Sequence, residues 1–208
     1  MTASSDIFED SDSLSDVLLD AIDLPLLDDS PRVRVSDVAC SLALEHWHAV
    51  RALLQASLLP SATVLHRAQF EALTRSIWLA YVASDAHVSK LSAPLSPVSE
   101  QAAKNMPLVA EMMRGIEARA PAPAYEALLR FKDNSWPALN SYAHAGIHPI
   151  QRHYDGYPTS LIHNMLRNAN GLAVVSCMQA VVLSGEQPLQ RKVLEIAGRF
   201  PHCMPPPL

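Results

Sequence analysis

The chain of 208 residues is 49% hydrophobic, mostly Ala and Leu, and contains only 6 glycines. This composition favours helices over strands and suffices for one domain with a sizeable core. An acidic N-terminus excludes a secretory signal, and the longest weakly polar run, residues 171–183, is too short to cross a bilayer. We therefore expect a cytoplasmic protein without a membrane partner.

Three cysteines, Cys40, Cys177 and Cys203, are scattered along the chain and lack Cys-x-x-Cys spacing. An odd, scattered set predicts reduced thiols, as in a bacterial-type cytoplasm. It suggests neither a disulfide framework nor a structural zinc site.

The net charge of −5 is unevenly distributed. Residues 1–31, the acidic leader, contain nine acids and no Lys or Arg, which leaves 12 acids against 16 basic residues in the rest of the chain. A body of net +4 could bind a polyanion such as RNA, or fold the leader back on itself. The alternative is a solvated tail that only aids solubility, and the charge pattern leaves both open.

The elements follow from apolar periodicity, N-capping serines and prolines. Residues 1–12 are expected to be disordered, and residues 13–23 predict a short amphipathic helix with aspartates on one face. The expected helices of the body are 36–58, 62–84, 98–119, 123–145, 160–184 and 188–200.

Linkers are expected at 86–97 and 148–158, and residues 32–35 are the one candidate strand. The sequence therefore predicts an all-α fold, a single bundle of five or six helices. We divide it into the acidic leader, a helical bundle domain and a Pro-rich tail, at 1–31, 32–200 and 201–208.

One polar stripe lies on a helix that is apolar around most of its circumference. Arg67, Glu71 and Arg75 stand four residues apart, so their side chains share a face. An Arg-Glu-Arg ladder inside a bundle needs further acceptors, such as a phosphate or a carboxylate. Arg67 and Glu71 are thus candidate catalytic residues and Arg75 a candidate binding residue. A network that only fixes helix register is the alternative.

A second polar group consists of Asn140, Ser141 and His144, which share one helix face. His144 would lie one turn from the helix end, where the dipole favours its protonated form. A histidine near neutrality beside hydrogen-bonding groups suits general acid–base catalysis. Asn140 and His144 are therefore candidate catalytic residues and Ser141 a candidate binding residue, expected near Glu71. A purely structural histidine is the alternative.

Three further candidate binding residues follow in the chain. Arg152 lies in the expected loop 148–158, which is rich in aromatic and basic residues. His163 and Arg167 stand four residues apart on the next helix and would complete a polar pocket if they face inward. Facing outward, they form an ordinary solvated surface.

Metal and cofactor motifs are scarce in the sequence. Glu45 and His48 form a single Glu-x-x-His, whereas di-iron bundles need two together with further glutamates. The sequence contains no His-Glu-x-x-His, Gly-rich phosphate loop, dinucleotide fingerprint or Ser-His-Asp hydrolase motif. We therefore predict no metal and no cofactor.

Two segments carry a resemblance that covers residues 36–185: His66–Trp78, read HRAQFEALTRSIW, and Ser141–Gly146, read SYAHAG. They resemble families of bacterial helical proteins of unknown function, loosely similar to the HEPN superfamily of toxins and phage-defence ribonucleases. Those ribonucleases are usually homodimers and use Arg-x(4–6)-His on one helix. No arginine stands at that distance before His144. The resemblance thus implies only that His144 is the catalytic histidine, and the arginine of the motif would have to come from elsewhere in the chain.

Two functions remain open at this point. We predict a non-catalytic binding or interaction module with a buried Arg/Glu/Asn/His cluster, whose leader docks to a partner protein. The alternative is a HEPN-like, metal-independent endoribonuclease or defence effector that acts as a homodimer on RNA. There His144 would act on the 2′-hydroxyl, and Arg67 or Arg152 would stabilise charge on the phosphate.

Overall fold

The computed structural model describes residues 6–206, and the regular secondary structure in this range is entirely helical. The predicted all-α class is confirmed, but ten α-helices are present in these residues, so the expected number of five or six is wrong. The helices are α1 (Ile7–Ala21), α2 (Pro31–Gln55), α3 (Leu59–Tyr81), α4 (Asp85–Ser92), α5 (Pro97–Ala103), α6 (Val109–Arg119), α7 (Ala122–Ala143), α8 (Ile147–Asp155), α9 (Thr159–Leu183) and α10 (Gln190–Gly198).

Several boundaries differ because prolines begin helices in this chain. α2 starts at Pro31, and α3, α5 and α7 also carry a proline in their first two positions. A proline fits there because the first N–H groups of a helix have no intrahelical partner and its fixed φ is already helical. The candidate strand 32–35 accordingly lies in α2, and Pro149 lies in the first turn of α8, which replaces the expected loop 148–158.

Two more differences lie between α3 and α7. The expected linker 86–97 contains most of α4, and the expected helix 98–119 is divided at Pro107 into α5 and α6. The second of these begins where the Glu111 carboxylate accepts the backbone N–H of Leu108 at 2.9 Å. These short helices therefore owe their ends to local capping, which apolar periodicity does not report.

Two apolar clusters make up the core. Trp47 of α2 belongs to a cluster shared with α1, α9 and α10, and Phe70 of α3 belongs to one shared with α6 and α7. Both aromatic side chains are fully buried. α9 contributes Leu166 to the first cluster and Leu172 to the second. Like α2 and α3, it therefore contributes to both halves of the core.

The helix of the acidic leader begins earlier than expected, at Ile7, because the Asp6 side chain caps its N-terminus. Disorder was therefore the wrong expectation for residues 7–12, while residues 1–5 lie outside the described range. Leu14 and Leu18 are fully buried against the bundle, and the carboxylate of Asp12 forms an ion pair with Arg51 of α2. α1 is a packed part of the core.

The end of the chain also packs on the bundle. A 3₁₀ turn spans Pro201–Cys203, and Pro205 lies against Gly171 of α9, where an added Cβ would lie 2.8 Å from the proline Cγ. Only the absence of a side chain at this glycine lets the tail approach so closely. Residues 207–208, the last of the predicted tail, lie outside the described range.

α9 has the length and the mean hydropathy, 1.2, of a membrane-spanning helix. In its most apolar window, however, 61% of the residues are buried inside the bundle. Such burial is typical of the core helix of a soluble protein.

Candidate functional site

The stripe on α3 lies at the protein surface rather than in its interior. Arg67 Nε donates to Glu71 Oε1 at 2.8 Å, so the expected arginine partner of Glu71 is present. The side chains of Arg67 and Glu71 are 23% and 38% exposed, which corrects the expected burial of the carboxylate. Arg75 is half-buried, and desolvation lowers the pKa of its guanidinium, although the charge of Glu71 opposes this effect.

Arg67 is the member of the stripe that reaches α7. Its guanidinium carbon lies 5.1 Å from the centroid of the Trp136 ring, a cation–π distance. Among the described residues, no hydrogen bond or ion pair joins the stripe to Asn140 or His144. The two polar motifs are therefore not assembled into one buried cluster.

The segment from Asn140 to Gly146 forms the corner between α7 and α8. Ala145 has a left-handed φ of 49°, the Gly146 N–H donates to the carbonyl of Ser141 at 2.7 Å, and Ser141 Oγ accepts the N–H of His148 at 3.1 Å. An added Cβ on Gly146 would lie 2.6 Å from Ser141 Oγ. The Ser-x-x-x-x-Gly spacing is thus explained by satisfying backbone groups at two helix ends.

His144 itself is exposed, and within residues 6–206 its ring has no hydrogen-bonding partner. Burial was therefore the wrong expectation for this histidine. It ends α7 as the C-cap residue, and its backbone N–H donates to the carbonyl of Asn140 at 3.3 Å. Asn140 is half-buried one turn earlier.

The remaining predicted binding residues are also apart from one another. Arg152 is exposed on α8, and His163 is half-buried on α9. Arg167 donates from Nε to the carbonyl of His202 at 2.9 Å and from Nη1 to Asn164 at 3.2 Å. Its observed contacts therefore tie the tail to α9.

A buried polar group that joins several elements is Asn170, at the middle of α9, which the sequence did not single out. Its Oδ1 accepts from Trp47 Nε1 at 2.8 Å and from Ser11 Oγ at 3.1 Å. Its Nδ2 donates to the carbonyl of Cys203 at 2.8 Å. One amide thus holds α1, α2 and the tail on α9, and we call these four residues the Asn170 hub.

A second buried chain of hydrogen bonds begins one residue earlier on α9. Gln69 Nε2 donates to the carbonyl of Ala169 at 2.9 Å, so its Oε1 must face His66 Nδ1, 3.0 Å away. That nitrogen is therefore the donor, and Nε2 of His66 is a buried acceptor without a partner among the described residues. Complete burial lowers the pKa of this histidine to about 4.

On the opposite side of α9 the packing is incomplete, and two clefts of about 270 Å³ each separate it from α7. The tail cleft has Phe131 on one wall and Pro205 on another. The second cleft, which we call the Tyr81 cleft, is lined by Tyr81 of α3 and lies toward the start of α7 and the end of α9, beside Ala124 and Val182. Ala127 and Val175 line both clefts. The clefts therefore adjoin, and we call the whole the α7–α9 groove.

The groove has a mostly apolar floor, and Tyr81 and Gln179 are the polar side chains within the Tyr81 cleft. The floor consists of side chains from both helices, among them Ala124, Leu172, Val174, Met178 and Val182. At the tail cleft the rim carries Arg130, Asn134 and Asn168, and at the Tyr81 cleft it carries Gln187 and Gln190. Arg130 is the one charged residue in either lining, and it forms no ion pair within residues 6–206.

A family model, described as a family of unknown function (DUF6988), matches residues 40–206 of the chain. The chain belongs to this family. The DUF6988 match runs from the middle of α2 to the tail and includes the whole groove, whereas α1 lies outside it. No curated protein matches the chain, and no solved structure matches it either.

The DUF6988 chain shows why sequence reasoning missed the groove and the hub. The groove is a gap in the packing of α7 against α9. Ala127 and Val175, which line both clefts, are ordinary small apolar residues, and the sequence does not show that the space beside them is unfilled. Asn170 is one of three asparagines on α9, which also carries His163 and Arg167, so no local signal in the sequence distinguishes it.

The cysteines of this DUF6988 member are free and buried. Burial raises the pKa of the Cys177 thiol to about 12 and that of Cys203 to about 11. Both groups stay protonated at neutral pH and are poor nucleophiles. No group of three His, Cys, Asp or Glu residues with metal-binding geometry occurs between residues 6 and 206.

Proposed function

We propose that the protein is a non-catalytic binding module whose binding site is the α7–α9 groove. The observation that carries the proposal is the pair of adjoining clefts, which together reach the size of a small-molecule site and are lined mainly by apolar side chains. In such a site the apolar side chains supply most of the contact with a ligand, and the few polar side chains orient it.

The dispersal of the candidate catalytic residues supports a binding role. General acid–base catalysis needs a base that is held by a partner near the reacting group. His144 is solvent-exposed, Glu71 is paired with Arg67 of its own helix, and Arg152 is exposed on α8. Ser141, the remaining member of the corner, is occupied by backbone contacts.

The experiment is a titration of the full chain with 8-anilinonaphthalene-1-sulfonate, an apolar anion that becomes fluorescent in apolar sites. We expect saturable binding to one site. Ala127→Trp places an indole where the two clefts adjoin and should abolish that binding. The matched control is Ala118→Trp on the exposed surface of α6, which should bind the dye as the unaltered chain does.

Two results would contradict the proposal. One is dye binding that persists in Ala127→Trp while circular dichroism shows an unchanged helical fold. The other is cleavage of RNA by the purified chain that His144→Ala abolishes, which would establish the ribonuclease alternative instead.

A further inference from the structure

We propose that the ligand of the α7–α9 groove is a long, unbranched alkyl chain that ends in a carboxylate, with the carboxylate at Arg130. This inference rests on the proposed function and adds the chemical class of the ligand. Three features of the groove support it: its length, its apolar floor and the position of its single charge.

The groove is long and narrow. On α9 it extends from Asn168 to Val182, which corresponds to about 21 Å along the helix axis. Each half has a volume of only about 270 Å³. Between the halves, Ala127 faces Val175 across α7 and α9. A flexible alkyl chain can extend through both halves. A compact ring system with the volume of one half would leave the other half empty.

The floor offers an alkyl chain few polar groups to desolvate, since buried Gln179 of the Tyr81 cleft already donates from Nε2 to Ser36 Oγ at 3.5 Å. Phe131, Val174 and Leu172 line the floor of the tail cleft, and Met178 and Val182 line that of the Tyr81 cleft. Each methylene group transferred from water to such a surface contributes about 0.8 kcal/mol. Affinity should therefore rise steeply with chain length until the groove is filled.

The charge of the groove is confined to one of its two clefts. Arg130 is exposed at the tail cleft, and neither cleft is lined by an acid. Asn168, across the cleft, has a side-chain amide that makes no hydrogen bond within the described range. A guanidinium bonds both oxygens of a carboxylate in one plane, and the amide adds a donor. At the Tyr81 cleft the polar groups of Gln187 and Gln190 are neutral.

The test is displacement of 8-anilinonaphthalene-1-sulfonate from the full chain by hexadecanoate, octanoate and hexadecan-1-ol, each below its aggregation concentration. We expect hexadecanoate to displace the dye from one site. Octanoate lacks eight methylene groups and should bind at least about a hundredfold more weakly. The neutral alcohol should bind about fivefold more weakly, since it lacks the exposed charge pair.

Arg130→Ala should weaken hexadecanoate by about fivefold and leave hexadecan-1-ol unchanged. The matched control is Arg114→Ala, another exposed arginine that lies on α6 and lines neither cleft, and it should change neither affinity. Arg130 is exposed, and its side chain forms no hydrogen bond or ion pair within residues 6–206, so the variant should fold normally.

The outcomes separate this inference from the proposed function. If the dye binds and Ala127→Trp abolishes its binding, but hexadecanoate does not displace it or binds no better than octanoate, the ligand class is wrong and the groove remains the binding site. If neither the dye nor hexadecanoate binds, both proposals fail. If Arg130→Ala leaves hexadecanoate affinity unchanged, the placement of the carboxylate is wrong.

Discussion

The two sides of α9 differ in how completely they are packed. Toward α1 and α2, Asn170 uses both atoms of its amide, and Ala169 receives a hydrogen bond from α3. Toward α7, the same helix borders two unfilled clefts. The comparison teaches that polar residues inside this bundle are structural where every atom has a partner. A role in binding is best sought where packing is missing.

The sharpest way to break this comparison uses two asparagines on the same helix, Asn170 and Asn168. Asn170→Ala should lower the free energy of unfolding by about 4 kcal/mol, because Trp47 Nε1–H and the Cys203 carbonyl would be left buried without partners. Asn168→Ala, on the groove side, should change it by less than about 0.5 kcal/mol. Urea unfolding measures both, and equal losses would show that the two sides do not differ.

The packed side also includes His66, which predicts a dependence of stability on pH. Its pKa in the folded protein is about 4, below the ordinary value of 6.5. Below pH 6.5 the unfolded chain therefore binds a proton that the folded chain rejects, and stability falls as the pH decreases toward 4. The total loss should be about 3 kcal/mol.

The control for this pH effect is His66→Gln, measured by urea unfolding at the same pH values. At each pH, the free energy of unfolding of the variant is subtracted from that of the unaltered chain. The difference isolates the contribution of His66 from that of the carboxyl groups. His144→Gln, at an exposed position, should keep the full pH dependence. A difference between the unaltered chain and His66→Gln that is constant from pH 7 to 4 would show that His66 is not held neutral by burial.

A smaller effect is expected at the contact of α1 with the hub. Ser11→Ala removes the hydrogen bond to Asn170 and should lower the free energy of unfolding by about 1 kcal/mol. Ser13→Ala, at an exposed position on the same helix, should have almost no effect. Indistinguishable unfolding midpoints for the two variants would mean that α1 is not docked through Ser11.

The smallest effect is expected for the stripe on α3. Glu71 is partly exposed and pairs with Arg67 one turn away, and such pairs contribute about 0.5 kcal/mol. Glu71→Gln should therefore shift the thermal midpoint only slightly. A loss of several kcal/mol would instead indicate a buried carboxylate, as the sequence alone suggested.

The sequence predicted the long helices well, because apolar periodicity and capping are local properties. The expected helix 160–184 corresponds to α9, and 62–84 corresponds to α3 with a shift of three residues. Prolines were harder to interpret, because the same residue type begins a helix at Pro31 and separates two helices at Pro107.

The candidate site could not be predicted from the sequence to the same degree. Polarity within an apolar helix identified Glu71 and His144, but whether such a residue is buried depends on which neighbouring helix covers it. Asn170 is one asparagine among several on α9, and only the chain packing around it decides that it is the hub. The groove arises from the spacing of α7 and α9, which is a tertiary property.

The central claim is that the α7–α9 groove is the binding site of this protein. The most direct measurement is a titration of the isotopically labelled full chain with hexadecanoate, followed through its backbone ¹H–¹⁵N NMR spectrum. We predict that the largest shift changes occur at residues 124–135 and 168–182, with little change at residues 140–153. Changes centred on residues 140–153, or spread evenly over the chain, would contradict the account.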